Sequence, residues 1–238
     1  LTGAPLTFFE AKPIEALFDC EADPHQVTNL ANDPRYQNQL RELRSRLDET
    51  LRSLPDLSFY PESYLAEHAM QNPVEFGQQR AKEIASFIDL ANIARKPQLT
   101  PDSKQSLTAA MNSKNPMTRY WAMMTCAAMG EKASSIASEA LPLLEDSQEV
   151  VRIRAAEFLG CIGKVNPQTT LAEIVNNTSD PIVATEALNA VVLFRDFYGD
   201  KFPVTRDDFN PIVSGADMDD RLNYISGIPY PPKNKPKA

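Results

Sequence analysis

The chain has 238 residues, of which 42% are hydrophobic and 24% charged, an ordinary balance for a soluble globular protein. A net charge of -8 repels phosphate backbones, so nucleic acid is not an expected partner. No apolar run approaches the roughly 20 residues of a membrane span, and 19 prolines against 8 glycines favour a helix-rich chain.

Residues 1–33 read as extended and turn-rich. The segment Ile14-Glu15-Ala16-Leu17-Phe18-Asp19 predicts a strand, with Ile14, Ala16 and Phe18 on one face and Leu17 on the other. Asp23-Pro24 predicts the turn that ends it. Asp33-Pro34 then opens a helix, with Asp33 as N-cap and Pro34 in the first turn. Tyr36, Leu40, Leu43, Leu47 and Leu51 form one apolar stripe along it, and Glu42 stands one turn before Arg46. Leu54-Pro55 should stop this helix. A connector follows, with a short helix from Pro61 to Met70, and then a helix over 73–96 with Phe76, Ile84, Phe87, Ile88 and Ile93 as its apolar positions.

After Pro97 the chain repeats itself. Met117, Val150 and Ile182 mark equivalent positions about 32–33 residues apart, a period of helical solenoids. Each copy predicts two helices. In the second copy these are Ala137 to Leu144 and Val150 to Ile162, joined by the polar turn Glu145-Asp146-Ser147-Gln148-Glu149. Small Ala155 and Ala156 allow close helix approach, while Leu159 and Ile162 supply a buried stripe. The pattern Val150, Arg152, Ala155, Leu159 resembles HEAT-like repeats. The first copy keeps Arg119 and Ala122; the third has Ala184 at the Arg position. The resemblance gives these arginines a structural role, with the stem packed across the turn and the head on carbonyls or a turn acid. Arg119, Tyr120 and Trp121 form the candidate interaction surface for a protein partner, because Arg and aromatic residues dominate binding hot spots; packing of Trp121 between repeats is the competing expectation. Binding of a carbohydrate by the repeats is disfavoured by the acidic charge where that carbohydrate is sulfated. Beyond 198, Phe202, Phe209, Ile212 and Val213 are expected to cap the last helices. The end containing Pro229 to Lys233, Lys235 and Lys237 reads as an extended solvated tail.

The segment from Pro13 to Ala31 resembles the close of the sulfatase catalytic fold. Glu15, Leu17, Phe18 and Asp19 stand where that family has a strand of the type Glu-Leu-Tyr-Asp. Asp23, Pro24, Gln26, Asn29 and Leu30 match the turn that follows, and the helix from Pro34 comes at the right place. The resemblance implies a parent enzyme that hydrolyses sulfate esters, an exported bacterial enzyme acting on sulfated carbohydrates. It also implies a formylglycine nucleophile from a Cys/Ser-x-Pro-x-Arg motif and a calcium ion. Cys20, Cys126 and Cys161 are followed by Glu21-Ala22, Ala127-Ala128 and Ile162-Gly163, so none fits that motif. Asp207-Asp208 and Asp219-Asp220 do not follow apolar strands and read as loop or cap residues. His25 reads as a turn residue, and His25 and His68 are too far apart in sequence to suggest a histidine metal site.

The expected fold is therefore mainly α: a HEAT-like α-α superhelix with a small N-terminal β/α segment resembling the sulfatase C-terminal subdomain. The expected parts are 1–55 (strand, turn and helix), 56–96 (connector and leading helix), 97–198 (repeats) and 199–238 (cap and tail). No catalytic, cofactor-binding or metal-binding residue is expected in this chain. The expected partner is the sulfatase catalytic domain of the parent, with no membrane contact, and the chain reads as a fragment that opens on Leu1 without a signal peptide. A stand-alone HEAT-like interaction module is the alternative reading.

Overall fold

The computed structural model describes residues 12–228. It separates into two compact units, Leu1–Asp56 and Leu57–Ala238. The tail from Pro229 onward, with Lys233, Lys235 and Lys237, lies outside the described residues.

In the first unit the segment 13–19 is extended but is not a strand, and no strand occurs among the described residues. The expected β/α segment is thus corrected to an extended segment, turn and helix. The reason is local: the Asn29 side chain occupies the place of a partner strand. Its Oδ1 accepts from the Leu17 amide at 3.0 Å and the Ala31 amide at 3.0 Å, and its Nδ2 donates to the Glu15 carbonyl at 3.3 Å. One backbone bond, Leu30 N–H to the Leu17 carbonyl at 2.8 Å, completes the tie. Backbone polar groups satisfied this way leave no ladder to extend. Asp19 and Asp23 hold the turn between, Asp23 accepting from the Thr28 amide at 2.7 Å. His25 lies exposed in it.

Asp33 caps the helix as its sequence position requires, accepting from the Arg35 amide at 2.9 Å. A 3-10 turn Pro34–Tyr36 leads into α1, Gln37–Ser53, which ends at extended Leu54 before Pro55. Glu15 pairs with Arg44 and pins the extended segment to α1. Glu42 and Arg46 pair at 2.6 Å. Leu40 is buried, yet Leu43 is 49% and Leu47 56% exposed, so much of the stripe has no cover.

Every regular element described in the second unit is a helix. α2 (Glu62–His68) and α3 (Pro73–Gln79) precede α4 (Ala81–Ile93). The single helix expected over 73–96 is broken at Arg80, whose amide bonds the Gly77 carbonyl and whose guanidinium lies 3.8 Å from the centre of the Phe76 ring. Three helix pairs follow. The first is α5 (Pro101–Met111) with α6 (Pro116–Met129), and the third is α9 (Pro167–Asn177) with α10 (Pro181–Tyr198). In the second pair, the leading helix is α only over α7 (Ala137–Ala140), between 3-10 turns Gly130–Ile136 and Leu141–Glu145; its mate is α8 (Glu149–Cys161). Gly130 has φ 54, and Pro142 lacks an amide donor, so a regular helix is interrupted at both ends of α7. α11 (Ala216–Ile225) closes the described chain.

Proline punctuates this unit by one device. Asn72-Pro73, Thr100-Pro101, Asn115-Pro116, Asn166-Pro167 and Asp180-Pro181 each start a helix, and each polar side chain accepts an amide of the first turn. The core runs between the pairs. Phe158, Leu159, Ala155, Ala156, Leu171, Val175, Leu188 and Phe194 are all fully buried. Gly160 lets α8 approach Pro167 and Phe194, since a Cβ there would sit 2.7 Å from each. At one end Phe59, Tyr60, Phe76, Phe87 and Trp121 form an aromatic cluster; at the other, Phe194 and Tyr198 meet Phe202. Phe202 and Phe209 are buried, as a cap requires, whereas Ile212 is 70% exposed.

Candidate interaction surface

The second helix of each pair carries the side chains that matter here. Counting four residues on from Met117, Val150 and Ile182 puts Trp121, Arg154 and Glu186 at one equivalent position in α6, α8 and α10. These three form a column across the repeats.

Trp121 is half-buried and donates from Nε1 to the Phe59 carbonyl at 2.7 Å. Its ring lies 5.2 Å from that of Phe59 and 6.2 Å from that of Phe87. Arg119 faces the other way. Its Nε and Nη2 fork onto Asp146 at 2.6 and 2.8 Å, and Nη1 donates to the Ser113 carbonyl at 2.8 Å. Asp146 belongs to the next repeat, so the fork joins two repeats. Arg152 repeats the arrangement, donating from Nε to the Leu144 carbonyl at 2.9 Å and pairing with Glu173 at 2.9 Å. In the third pair Ala184 takes that position and is fully buried. Of the three residues singled out from sequence, Tyr120 lines an open cavity, and it is 7% exposed.

That cavity is a cleft of about 590 Å³, walled by Glu62 and Pro61 ahead of the repeats and by Asp217 and Arg221 of α11 after them. Its floor is Tyr60, Tyr120, Arg154 and Glu186. Arg154 and Glu186 were not evident from the sequence as site residues; the signal that finds them is charge recurring at the repeat period on helices whose neighbouring positions are apolar. Arg154 Nη1 donates to Glu157 at 2.6 Å, while Glu186 stands 3.9 Å from Nη2. The guanidinium lies 5.7 Å from the centre of the Tyr120 ring. The three charged side chains are 17%, 14% and 18% exposed. Arg154 Nε and Glu186 Oε2 have no hydrogen-bond partner. Burial raises the Glu186 carboxyl above its ordinary value, partly offset by Arg154, and burial likewise raises the Tyr120 hydroxyl. Arg221 donates to Asn189 Oδ1 at 2.8 Å and to the Asp217 carbonyl at 2.9 Å.

The acidic pairs do not assemble a cation site. Asp208 accepts from the Thr205 amide at 2.7 Å, and Asp219 and Asp220 lie in α11. Among the described residues no group of three or more His, Cys, Asp or Glu side chains is arranged to hold a metal ion. Cys126 is fully buried and its thiol is pushed up to about 12 by that burial. No helix among the described residues is long and apolar enough to cross a membrane.

Comparison with known proteins gives two matches of different extent. The ulvan-active sulfatase of Formosa agariphila is 52% identical over 58 residues, which is 24% of this chain and 10% of that enzyme. The chain thus spans about a tenth of the length of this curated relative. No solved structure matches significantly. Residues 105–191, from within α5 to within α10, match the HEAT repeat family, and the stacked helix pairs of this segment are consistent with a HEAT-like helical repeat.

Proposed function

We propose that this chain is the non-catalytic C-terminal portion of a sulfate-ester hydrolase, with the HEAT repeats as its structural or interaction arm. The observation that carries this reading is the match of 52% identity over 58 residues to an enzyme named as an ulvan-active sulfatase. The uncovered face of α1 supports it: exposed Leu43 and Leu47 call for a larger apolar surface, which the catalytic domain of the parent supplies. The parent holds the formylglycine nucleophile and the calcium ion, acts on sulfated carbohydrates and is exported. In this chain Cys20, Cys126 and Cys161 lack the motif that formylglycine formation needs.

The test has two arms. The purified 238-residue chain is assayed with an aryl sulfate, and it is titrated with a separately expressed sulfatase catalytic domain encoded with it. No turnover by the chain, and binding of the domain that weakens in Leu43→Asp, are expected. Turnover by the chain alone overturns the non-catalytic assignment. Indifference of both partners to each other favours a stand-alone interaction module.

A further inference from the structure

We propose that residues 229–233, Pro-Tyr-Pro-Pro-Lys, dock as a polyproline ligand on the exposed face of α10 around Leu193 and Phe197. The inference is independent of the sulfatase reading.

The last helix pair leaves apolar side chains bare. Phe197 is 76% and Leu193 38% exposed, one turn apart on one face of α10. Tyr224 of α11 extends this surface. It is 46% exposed, its hydroxyl donates to Asp196 at 3.1 Å, and it lines an open groove with Val192. Single exposed apolar residues are ordinary, but neighbouring ones on adjoining helices mark a surface that something covers.

Geometry brings the occupant to this face. Arg221 bonds Asn189, and Tyr224 bonds Asp196, so α11 runs beside α10 in the same direction. The chain therefore leaves Ile228 near the C-terminal end of α10. From there back to Leu193 is about 10 Å along the helix axis, at roughly 1.5 Å per residue. Residues 229–233 reach about 15 Å in the polyproline conformation, which is enough. Pro229, Pro231 and Pro232 fix φ and so reduce the entropy lost on docking. Such segments bind surfaces lined by aromatic rings, here Phe197 and Tyr224. Charge agrees. Asp196 and Asp200 are exposed beside Phe197, and Asp220 lines the groove with Tyr224. The nearby cations are already placed: Arg195 pairs with Asp196 at 3.3 Å and lies over the Tyr224 ring, and Lys201 lies over the Phe202 ring. Lys233, followed by Lys235 and Lys237, carries the complementary sign.

Trypsin reads the docking in the full chain. Cleavage after Lys233 needs this segment free, and its rate follows the free fraction when release is fast. Initial rates are measured by mass spectrometry and referred to a synthetic peptide of residues 226–238. Cleavage of the wild-type chain is expected to be about tenfold slower than that of the peptide, the result of docking for about nine-tenths of the time. Phe197→Ser, at an exposed position, should recover most of that factor. Val74→Ser, at an exposed apolar position of α3, should leave the rate unchanged. Equal rates in wild type and Phe197→Ser, or an equal rise in both variants, overturn the proposal. Protection that grows with chain concentration gives the face to a second copy and overturns the intrachain occupant. Raising salt from about 0.05 to about 0.5 M should speed wild-type cleavage several-fold relative to the peptide, and indifference to salt overturns the pairing of lysine with aspartate.

Discussion

Arg119→Ala tests whether the repeats are joined by their turn arginines. The wild-type fork places two N–H groups on Asp146 at 2.6 and 2.8 Å, with side chains 14% and 5% exposed. Alanine leaves Asp146 with the Gln148 amide at 2.9 Å as its remaining bond in this set. It also frees the Ser113 carbonyl, which Arg119 now satisfies at 2.8 Å. Removing one partner of a buried pair costs about 3–5 kcal/mol. The site opens to solvent where the arginine head lay, so partial rehydration of Asp146 puts the loss near the lower figure, about 3 kcal/mol. That is a large part of the roughly 5–15 kcal/mol that holds an ordinary domain together. Asp146→Ala and the double variant complete a cycle, with a coupling of about 2 kcal/mol expected between the two sites. Urea unfolding is followed by far-ultraviolet circular dichroism and by the fluorescence of Trp121, the sole tryptophan. A loss below about 1 kcal/mol for Arg119→Ala, or additive single losses, would refute the linkage, because exposed ion pairs behave in that way.

Three further outcomes are expected. Gly160→Ala forces a Cβ to within 2.7 Å of Phe194 and Pro167, and should lower stability by about 1–3 kcal/mol in the same urea assay; an unchanged midpoint shows that α8 and α9 can part at no cost. With a thiol reagent at neutral pH, exposed Cys20 should react in the native chain and fully buried Cys126 only after denaturation; fast reaction of all three thiols contradicts the packing of α6. Burial raises the Glu186 carboxyl above 4.5, so the folded form holds this proton more tightly than the unfolded chain does. The stability that Glu186 contributes is therefore full below that value and is lost as pH rises through the folded pKa. The thermal midpoint of Glu186→Gln should gain on wild type as pH rises from about 4 to about 7, and a constant difference across that range argues that Glu186 titrates as an exposed group.

Much of the helical order was legible because its signals are local. Asp33-Pro34, Asn115-Pro116 and Asp180-Pro181 each carry a cap and a fixed φ, and each starts a helix in the structure. The 32–33-residue spacing fixed which helices stack, and the arginine of the repeat pattern met a turn carbonyl and an acid at both places where it occurs. The strand at Ile14–Asp19 was misread because alternation describes a chain with two faces and says nothing about a partner. Asn29, twelve residues beyond Leu17, supplies that partner from a side chain. The break at Arg80 and the 3-10 turns flanking α7 have local causes in Gly77, Gly130 and Pro142, which apolar periodicity does not register. The cleft was illegible for another reason: Arg154 and Glu186 are 32 residues apart, and only stacking sets them side by side.

The two arginines of α8 separate fold from site. Arg152 and Arg154 lie about 200° apart around the helix axis and so serve opposite faces. Arg152 ties its own turn to Glu173 of the next repeat, a link that stacking uses. Arg154 faces the column with Trp121 and Glu186, where neighbouring apolar side chains already provide the contact between repeats. The third repeat sharpens the contrast. At the linking position it has Ala184, fully buried, and its helix still packs. At the column position it has Glu186, an acid whose burial opposes its charge. A repeat that dispenses with the linking charge while burying another beside Arg154 shows that stacking needs the apolar contacts and neither charge.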